Sequence, residues 1–478
     1  MDDRVIPLAD GFTPADRADW TALVERTLKG ASPQSLVSFT ADGLARQPLY
    51  AADSPGAAAE PVSRGQHDAA WDLRASTRHP DPVRANREAL EALAGGAASI
   101  LLTIDPTGAA GVAIGDGEGL ARVLDGVMID VAPVALDAGF LGPAAADWLG
   151  ALAKSAPAAP LALNMDPLSA FAAAGVSPGP MESHLIACAT VGARLAGAYP
   201  KATLFQASGR CVHESGGTEA QEIAFAAAAA LAYAKALVRA GLPMADAFAR
   251  VTLSLAVDAD YFLSIAKLRA ARLVWARMAQ ACGAAAPARL EARSSGRMLT
   301  RADPWTNLIR LTAAGFSAAV GGADVIVLGA FTDALGLPTA FAQRQARNTQ
   351  LILMEEAHLG RVADPAAGAW YLESLTHDLA AAAWADFQAI EAAGGIIKAL
   401  ESGLIAGQAV SAREALRARI AAGDLKIVGV TQFQNADAAA VEIETPIAVP
   451  ASAPNARLPG PDSRCEPLTV IRLEDLVA

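Results

Sequence analysis

TLFQASGRCVHESGGTEAQEIAFAAAAALAYAKALVRAGLP, residues 203–243, contains in one stretch the unit from which the chain is built. An apolar run from Thr203 to Gln206 gives way to a polar, glycine-bearing loop, Ser208 to Gly217, and then to a long alanine-rich segment. The run does not alternate, which is the pattern of a parallel strand buried on both faces. Thr218 with Gln221 fits a capping box, and Gly241 followed by Pro243 supplies a stop. These signals predict a helix over about 219–240.

The same order of strand, turn and helix recurs on both sides. Candidate strands are Ser99–Ile104, Val127–Val131, Leu161–Asn164, Thr203–Gln206, Val251–Val257, Arg289–Ala292 and Asp324–Leu328. A second helix, from about Ala259 to Gln280, places Tyr261, Ile265, Leu268, Trp275 and Met278 on one face, with Lys267, Arg269 and Arg277 expected away from that stripe. Seven or eight such units over roughly 330 residues predict an α/β fold, a (β/α)8 TIM-type barrel, with a doubly wound open sheet as the alternative. Around the barrel (66–435) the chain changes texture. Residues 1–65 read as an N-terminal arm, with a helical pattern from Pro14 to Leu28 and a Pro/Gly-rich stretch from Gln47 to Gly65. Residues 436–478, with Pro446, Pro450, Pro454, Pro459 and Pro461, read as an extended linker or tail.

Composition narrows the function classes. The 478 residues carry 38 Lys+Arg against 50 Asp+Glu, a formal net charge of −12, which argues against a general nucleic-acid or anionic-membrane binder. A hydrophobic share of 53% excludes disorder for most of the chain. The longest helix-like apolar stretch, Ile223 to Ala234, is short of the about 20 residues a membrane crossing needs. The acidic start, Met1-Asp2-Asp3-Arg4, lacks the form of a signal peptide, so a cytoplasmic location is expected. Cys188, Cys211, Cys282 and Cys465 show no metal or disulfide spacing, and no metal site is expected.

In a barrel, chemistry sits in the loops after the strands' C-terminal ends, and the 208–217 loop is the most polar of these. Ser208, Arg210, Cys211, His213 and Glu214, with Gln350, are the candidate barrel-mouth pocket. Cys211, His213 and Glu214 could form a nucleophile–base–acid cluster, but such near neighbours rarely aim at one atom, and a polar rim or ligand contact is preferred. His184 and Cys188, at i and i+4, read as core packing rather than a metal pair. Glu355, Glu356 and His358 read as a solvated helix end, and Gly394–Gly395 as a C-cap. No dinucleotide or P-loop signature is present.

Short motifs in order resemble the methylmalonyl-CoA mutase family from residue 40 to about Asn435. Trp71-Asp72-Leu73-Arg74, continuing to Asn86, resembles W-x-I-R-Q-Y-A-G-F-S-T-A-E-E-S-N. Ser208-Gly209 with Glu214, Gly216 and Thr218 is similar to S-G-Y-H-M-Q-E-A-G-A-T. Ile265 to Arg272 ending in Trp275, then Ser295-Gly296, Leu299-Thr300, Asp303, Asn307 and Arg310, follow the family's order, as do Leu337-Pro338-Thr339, Arg347-Asn348-Thr349-Gln350, Asp364-Pro365, Gly368, Tyr371, Glu373 and Ile427-Val428-Gly429-Val430.

The resemblance implies a TIM barrel that threads acyl-CoA through its core, joined to a flavodoxin-like domain that carries adenosylcobalamin. It also implies a substrate-contacting tyrosine, histidine and arginine. The tyrosine position is Ser76, the histidine position is Cys211, and the tyrosine just before that histidine is Arg210. The arginine has no counterpart between Arg122 and Arg194. The cobalt-ligating D-x-H-x-x-G occurs nowhere, since His67, His79, His184, His213, His358 and His377 lie in other contexts. The residues after Asn435 are too few for a flavodoxin-like domain.

The implied reading is therefore a small (beta), noncatalytic subunit with no catalytic residues expected. It would bind no cofactor itself and pair with a methylmalonyl-CoA mutase large subunit that carries adenosylcobalamin. The N-terminal arm would wrap that partner. Acyl-CoA is a further candidate ligand; nucleic acid and membrane are not expected partners. The alternatives are the catalytic barrel of another acyl-CoA mutase served by a separate cobalamin subunit, and a CoA-ester-binding scaffold.

Overall fold

The run at Thr203 becomes a strand, Thr203–Ser208, and the capped segment becomes a helix, Glu219–Arg239. This is from a computed structural model describing residues 11, 13, 15–54, 56, 70–445 and 456–477. Eight parallel strands close into a barrel: β1 (Asp72–Thr77), β2 (Ser99–Thr103), β3 (Val134–Asp137), β4 (Ala162–Met165), β5 (Thr203–Ser208), β6 (Val251–Val257), β7 (Arg289–Ser294) and β8 (Val325–Val327). They pair in chain order, and β8 closes on β1 with Val325 opposite Asp72 and Ile326 opposite Leu73. The TIM-type barrel is therefore the fold, and the open sheet is excluded.

Two strand assignments change. Val127–Val131 is not a strand: it forms turns, with Met128 66% and Val131 67% exposed. Pairing is carried by the buried Val134–Asp137, just past Pro133, so a β-branched apolar run was outcompeted by a shorter one that reaches the core. The first strand, Asp72–Thr77, was absent from the seven candidates. Asp72 and Arg74 interrupt its apolar run, because that face points into the barrel and makes polar contacts there.

Three long helices carry much of the outer core: α1 (Glu219–Arg239), α2 (Tyr261–Ala281) and α3 (Trp370–Ala392). The α1 cap forms as expected, with Thr218 N donating to Gln221 Oε1 at 3.0 Å and Gln221 N to Thr218 Oγ1 at 3.4 Å. By length and composition α1 could cross a membrane, but 78% of its apolar window is buried inside the protein, as in a core helix. Alanine permits this, since Ala224 and Ala226 to Ala230 let neighbouring elements approach closely.

The amphipathic reading of α2 fails at two positions. Lys267 and Arg269 are buried. Lys267 Nζ meets Glu222 Oε2 at 2.6 Å, and Arg269 pairs with Asp364 and with Glu373, the latter at 2.7 Å. Helix α2 is covered on both sides, and its cations survive burial because each has a carboxylate partner. Arg277 instead lies over the Trp384 ring at 4.8 Å.

The segment before the barrel contributes a helix, Arg17–Thr27, and a two-stranded hairpin, Ser38–Phe39 with Ala45–Arg46. The hairpin is tied to the barrel. Asp42 Oδ1 accepts from Ala220 N at 3.1 Å, placing a carboxylate at the N-terminus of α1, and Arg46 pairs with Asp260 at 2.5 Å. Much of the Pro/Gly-rich stretch, including residues 57–65, and Pro446, Pro450 and Pro454 lie outside the described residues. Residues 456–477 form a strap across the barrel's C-terminal side. Cys465 N donates to Gly175 O, Leu468 N to Ala172 O, Ile471 N to Glu214 O and Leu473 N to Arg297 O, at 2.8–2.9 Å.

Candidate functional site

Inside the barrel the inward faces of the strands carry charge. Arg74 on β1 donates to Glu291 Oε2 on β7 at 2.9 Å, to Ser99 Oγ on β2 at 2.8 Å and to Asp72 Oδ2 at 2.8 Å. Arg293, two residues beyond Glu291, donates to Glu291 Oε1 at 2.5 Å, to Asp137 Oδ2 on β3 at 3.0 Å and to Gln206 Oε1 on β5 at 3.0 Å. Gln206 Nε2 and Ser254 Oγ also donate to Glu291 Oε1, at 2.9 and 3.2 Å. Burial alone would raise the Glu291 carboxyl, but Arg293 and Arg74 outweigh it and hold it at about 2. The lumen is thus bridged by a satisfied network in which each charge is paired.

Above this network a cavity of about 400 Å³ opens at the C-terminal mouth. Of the sequence-derived candidates, Ser76, Arg210, Glu214 and Gln350 line it. Gln350 is committed elsewhere, its Oε1 accepting from Trp71 Nε1 at 2.9 Å. Glu214 is also engaged, accepting from Gly296 N and Arg297 N at 3.0 Å each. Gly209 precedes Arg210 because the chain passes hard against α1: a Cβ there would meet Glu222 O at 2.2 Å.

Ser208, Cys211 and His213 are not among the cavity's lining residues. Ser208 N donates to Asp166 Oδ2 at 3.2 Å. The Cys211 thiol is 3.8 Å from Ser208 O, and burial followed by the nearby Asp166 pushes its pKa well up. It is a poor nucleophile there. His213 is fully buried on the helix side, with Nε2 2.8 Å from Ser295 Oγ. The loop folds as a short helix, Arg210–Glu214, so adjacent side chains diverge and the cluster of Cys211, His213 and Glu214 does not form.

His213 joins Glu219 and Asp258, whose ligand atoms lie within 4.8 Å of one another, a spacing that could suit a metal. The local charge does not suit one. Arg297 Nη2 is 3.6 Å from both Glu219 and Asp258, and Lys267 holds Glu222, which lies 3.4 Å from His213 Nδ1. Burial, then Arg297 and Lys267, lowers the His213 pKa and keeps the ring neutral. Two buried cations already balance these acids, so the cluster is a structural ion network. His184 and Cys188 are buried, and the His184 ring lies 4.9 Å from Phe140 with Nε2 3.1 Å from Pro178 O. Glu355, Glu356 and His358 are exposed.

The residues that sequence reasoning missed are Glu291, Arg293 and His79. The signal for the first two was available: in RLEARS, residues 289–294, charges alternate with Leu290 and Ala292. His79 is buried and lines the cavity, but Nδ1 accepts from Asp81 N at 3.1 Å and Nε2 faces Glu444 at 3.5 Å. No tyrosine lines the cavity among the described residues. The strap residues Val470 and Arg472 complete its wall. His79, the one histidine that lines the mouth among the described residues, is thus engaged at both ring nitrogens.

The comparisons agree with the motif order. The methylmalonyl-CoA mutase family model matches residues 101–452. The chain is 39% identical to the methylmalonyl-CoA mutase small subunit of Streptomyces virginiae, covering 96% of this chain and 77% of that one. It is 35% identical to the small subunit of Propionibacterium freudenreichii subsp. shermanii, over 93% and 73%. It is 31% identical to a methylmalonyl-CoA mutase of Cereibacter sphaeroides, over 89% and 65%. With the closed barrel, the ordered motifs and these relatives in agreement, the chain belongs to the methylmalonyl-CoA mutase family.

Proposed function

We propose that this chain is the noncatalytic small subunit of an adenosylcobalamin-dependent methylmalonyl-CoA mutase heterodimer, acting in the cytoplasm beside a large subunit that binds the cofactor and performs the isomerisation. The observation that carries this reading is the filled lumen. A thioester threaded along the barrel axis would have to displace the bonds among Arg74, Glu291, Arg293 and Gln206. That would leave buried charges unpaired, a cost of several kcal/mol for each ion.

The site residues support it. Ser76, at the family's tyrosine position, offers a hydroxyl too short to replace a phenol, and Cys211, at the histidine position, does not line the cavity. The relatives named small subunits support the assignment of role. The N-terminal helix Arg17–Thr27 has no buried residue and leaves Leu23 exposed, as expected of an arm that packs on a partner.

The test is co-expression with a methylmalonyl-CoA mutase large subunit. A stable complex that turns over methylmalonyl-CoA, with no turnover by this chain plus adenosylcobalamin, is the expected result. Isomerisation of any acyl-CoA by this chain with only a separate cobalamin-binding subunit added would overturn the reading.

A further inference from the structure

The cavity at the mouth holds, beside the paired Arg74, Arg78 and Arg293, a second set of cations without an ion pair. Arg210, Arg347 and Arg472 all line it, and the Nε of each is buried without a hydrogen-bond partner. Among the described residues none of the three forms an ion pair, whereas Arg74 and Arg293, in the floor, are fully paired. Burial, and then the like charge of Arg293, pushes the Arg210 pKa down against the opposing pull of Glu214, Asp137 and Glu291, none of which forms an ion pair with it. The acids of the wall compensate only in part. Glu214 acts on Arg210 through space but accepts its hydrogen bonds from two backbone N–H groups, Asp333 pairs with Arg78 at 2.7 Å and acts on Arg472 without an ion pair, and burial raises Glu88 to about 7. A chain of net charge −12 thus holds a cationic pocket at its mouth.

We propose that this cavity is a binding site for a small dianion, a dicarboxylate or a phosphate-bearing metabolite without a CoA arm, held chiefly by Arg210 and Arg472. Guanidinium groups match planar carboxylate and phosphate oxygens in bidentate geometry, and such bonds are strong where water is partly excluded. The volume of about 400 Å³ lies within the range of small-molecule sites. The bridged lumen excludes a ligand that continues down the barrel axis, which separates this site from a thioester channel. The proposal does not depend on the subunit role: a noncatalytic barrel can retain a ligand site.

Calorimetric titration of the full chain with inorganic phosphate, malonate and citrate tests it, with succinyl-CoA as the armed counterpart. Saturable binding of phosphate or of a carboxylate supports the site, and the preferred arm identifies its chemistry. Arg210→Gln is expected to weaken that binding by about tenfold or more without lowering the thermal midpoint of the free chain. Arg472→Gln gives a smaller loss. No saturable binding of any free anion, unchanged affinity in both variants, or binding confined to the CoA ester would overturn the proposal. If Arg210→Gln unfolds the chain, the residue is structural and the assignment falls.

Discussion

Two sets of arginines line one cavity and are treated in opposite ways. Arg74 and Arg293 in the lumen each donate to three groups and share Glu291 between them. Arg210 and Arg472 at the mouth, equally shielded at Nε, have no ion-pair partner among the described residues. Folding explains the first set, since a buried charge persists only when paired. It does not explain the second, and cations that packing does not require point to something outside the chain.

The contrast can be broken most severely at Glu291. Glu291→Ala leaves two lumen guanidinium groups with only Asp72 and Asp137 as counter-ions, and the expected loss is about 3 kcal/mol in denaturant unfolding. A near-neutral result would show that the lumen is wet and open. Next is the buried pair outside the barrel wall. Lys267→Met should cost about 3 kcal/mol because Glu222 then keeps no cation, only a neutral His213 and the Ala256 N–H, and combining it with Glu222→Gln should recover most of that loss. If the double variant is no better than the single, the pair is not the reason Lys267 is tolerated.

A smaller effect is expected from pH. The lowered pKa of His213 means that the unfolded chain takes up a proton the folded chain refuses. Its contribution is therefore complete above the ordinary histidine value of about 6.5 and is lost as pH falls below it, by at most about 1.4 kcal/mol per pH unit. Glu219 and Asp166, each raised to about 7 chiefly by burial, act in the opposite sense, losing stability as pH rises from the usual carboxylate range toward 7. The difference between the unfolding curves of the parent and His213→Gln isolates the histidine, and a gap that does not shrink from pH 7 to pH 5 would refute its neutral state. The smallest effect is at the mouth. Arg210→Gln removes a shielded charge with no ion pair, so free-chain stability should be unchanged or slightly raised, by about 1 kcal/mol at most. A loss would move Arg210 into the same class as Arg74.

Much of the barrel was legible because buried parallel strands and capped helices leave continuous runs and punctuation, as from Thr203 to Pro243. What misled was polarity facing inward. Asp72 and Arg74 hid β1, and Lys267 and Arg269 were read as solvent-facing on a helix that is enclosed. Periodicity reports the side of an element that differs from its surroundings, and it misreads an element buried all round by paired charges. The candidate site was half legible. Arg210 and Glu214 do line the mouth, but the short helix at Arg210–Glu214 turns Cys211 and His213 away. The lumen network could not be read from spacing, because its members lie on β1, β2, β3, β5, β6 and β7 and meet only when the barrel closes.

The strap at 456–477 ties distant parts of the chain together. Its bonds to Ala172, Gly175, Glu214 and Arg297 span well over a hundred residues of chain, so they form only after the segments they cross have settled. Arg472 comes with this segment, and with it one wall of the pocket. Anything that peels the final segment away, whether a protease or an appended tag, unseats half of the anion clamp while leaving the eight-stranded cylinder in place.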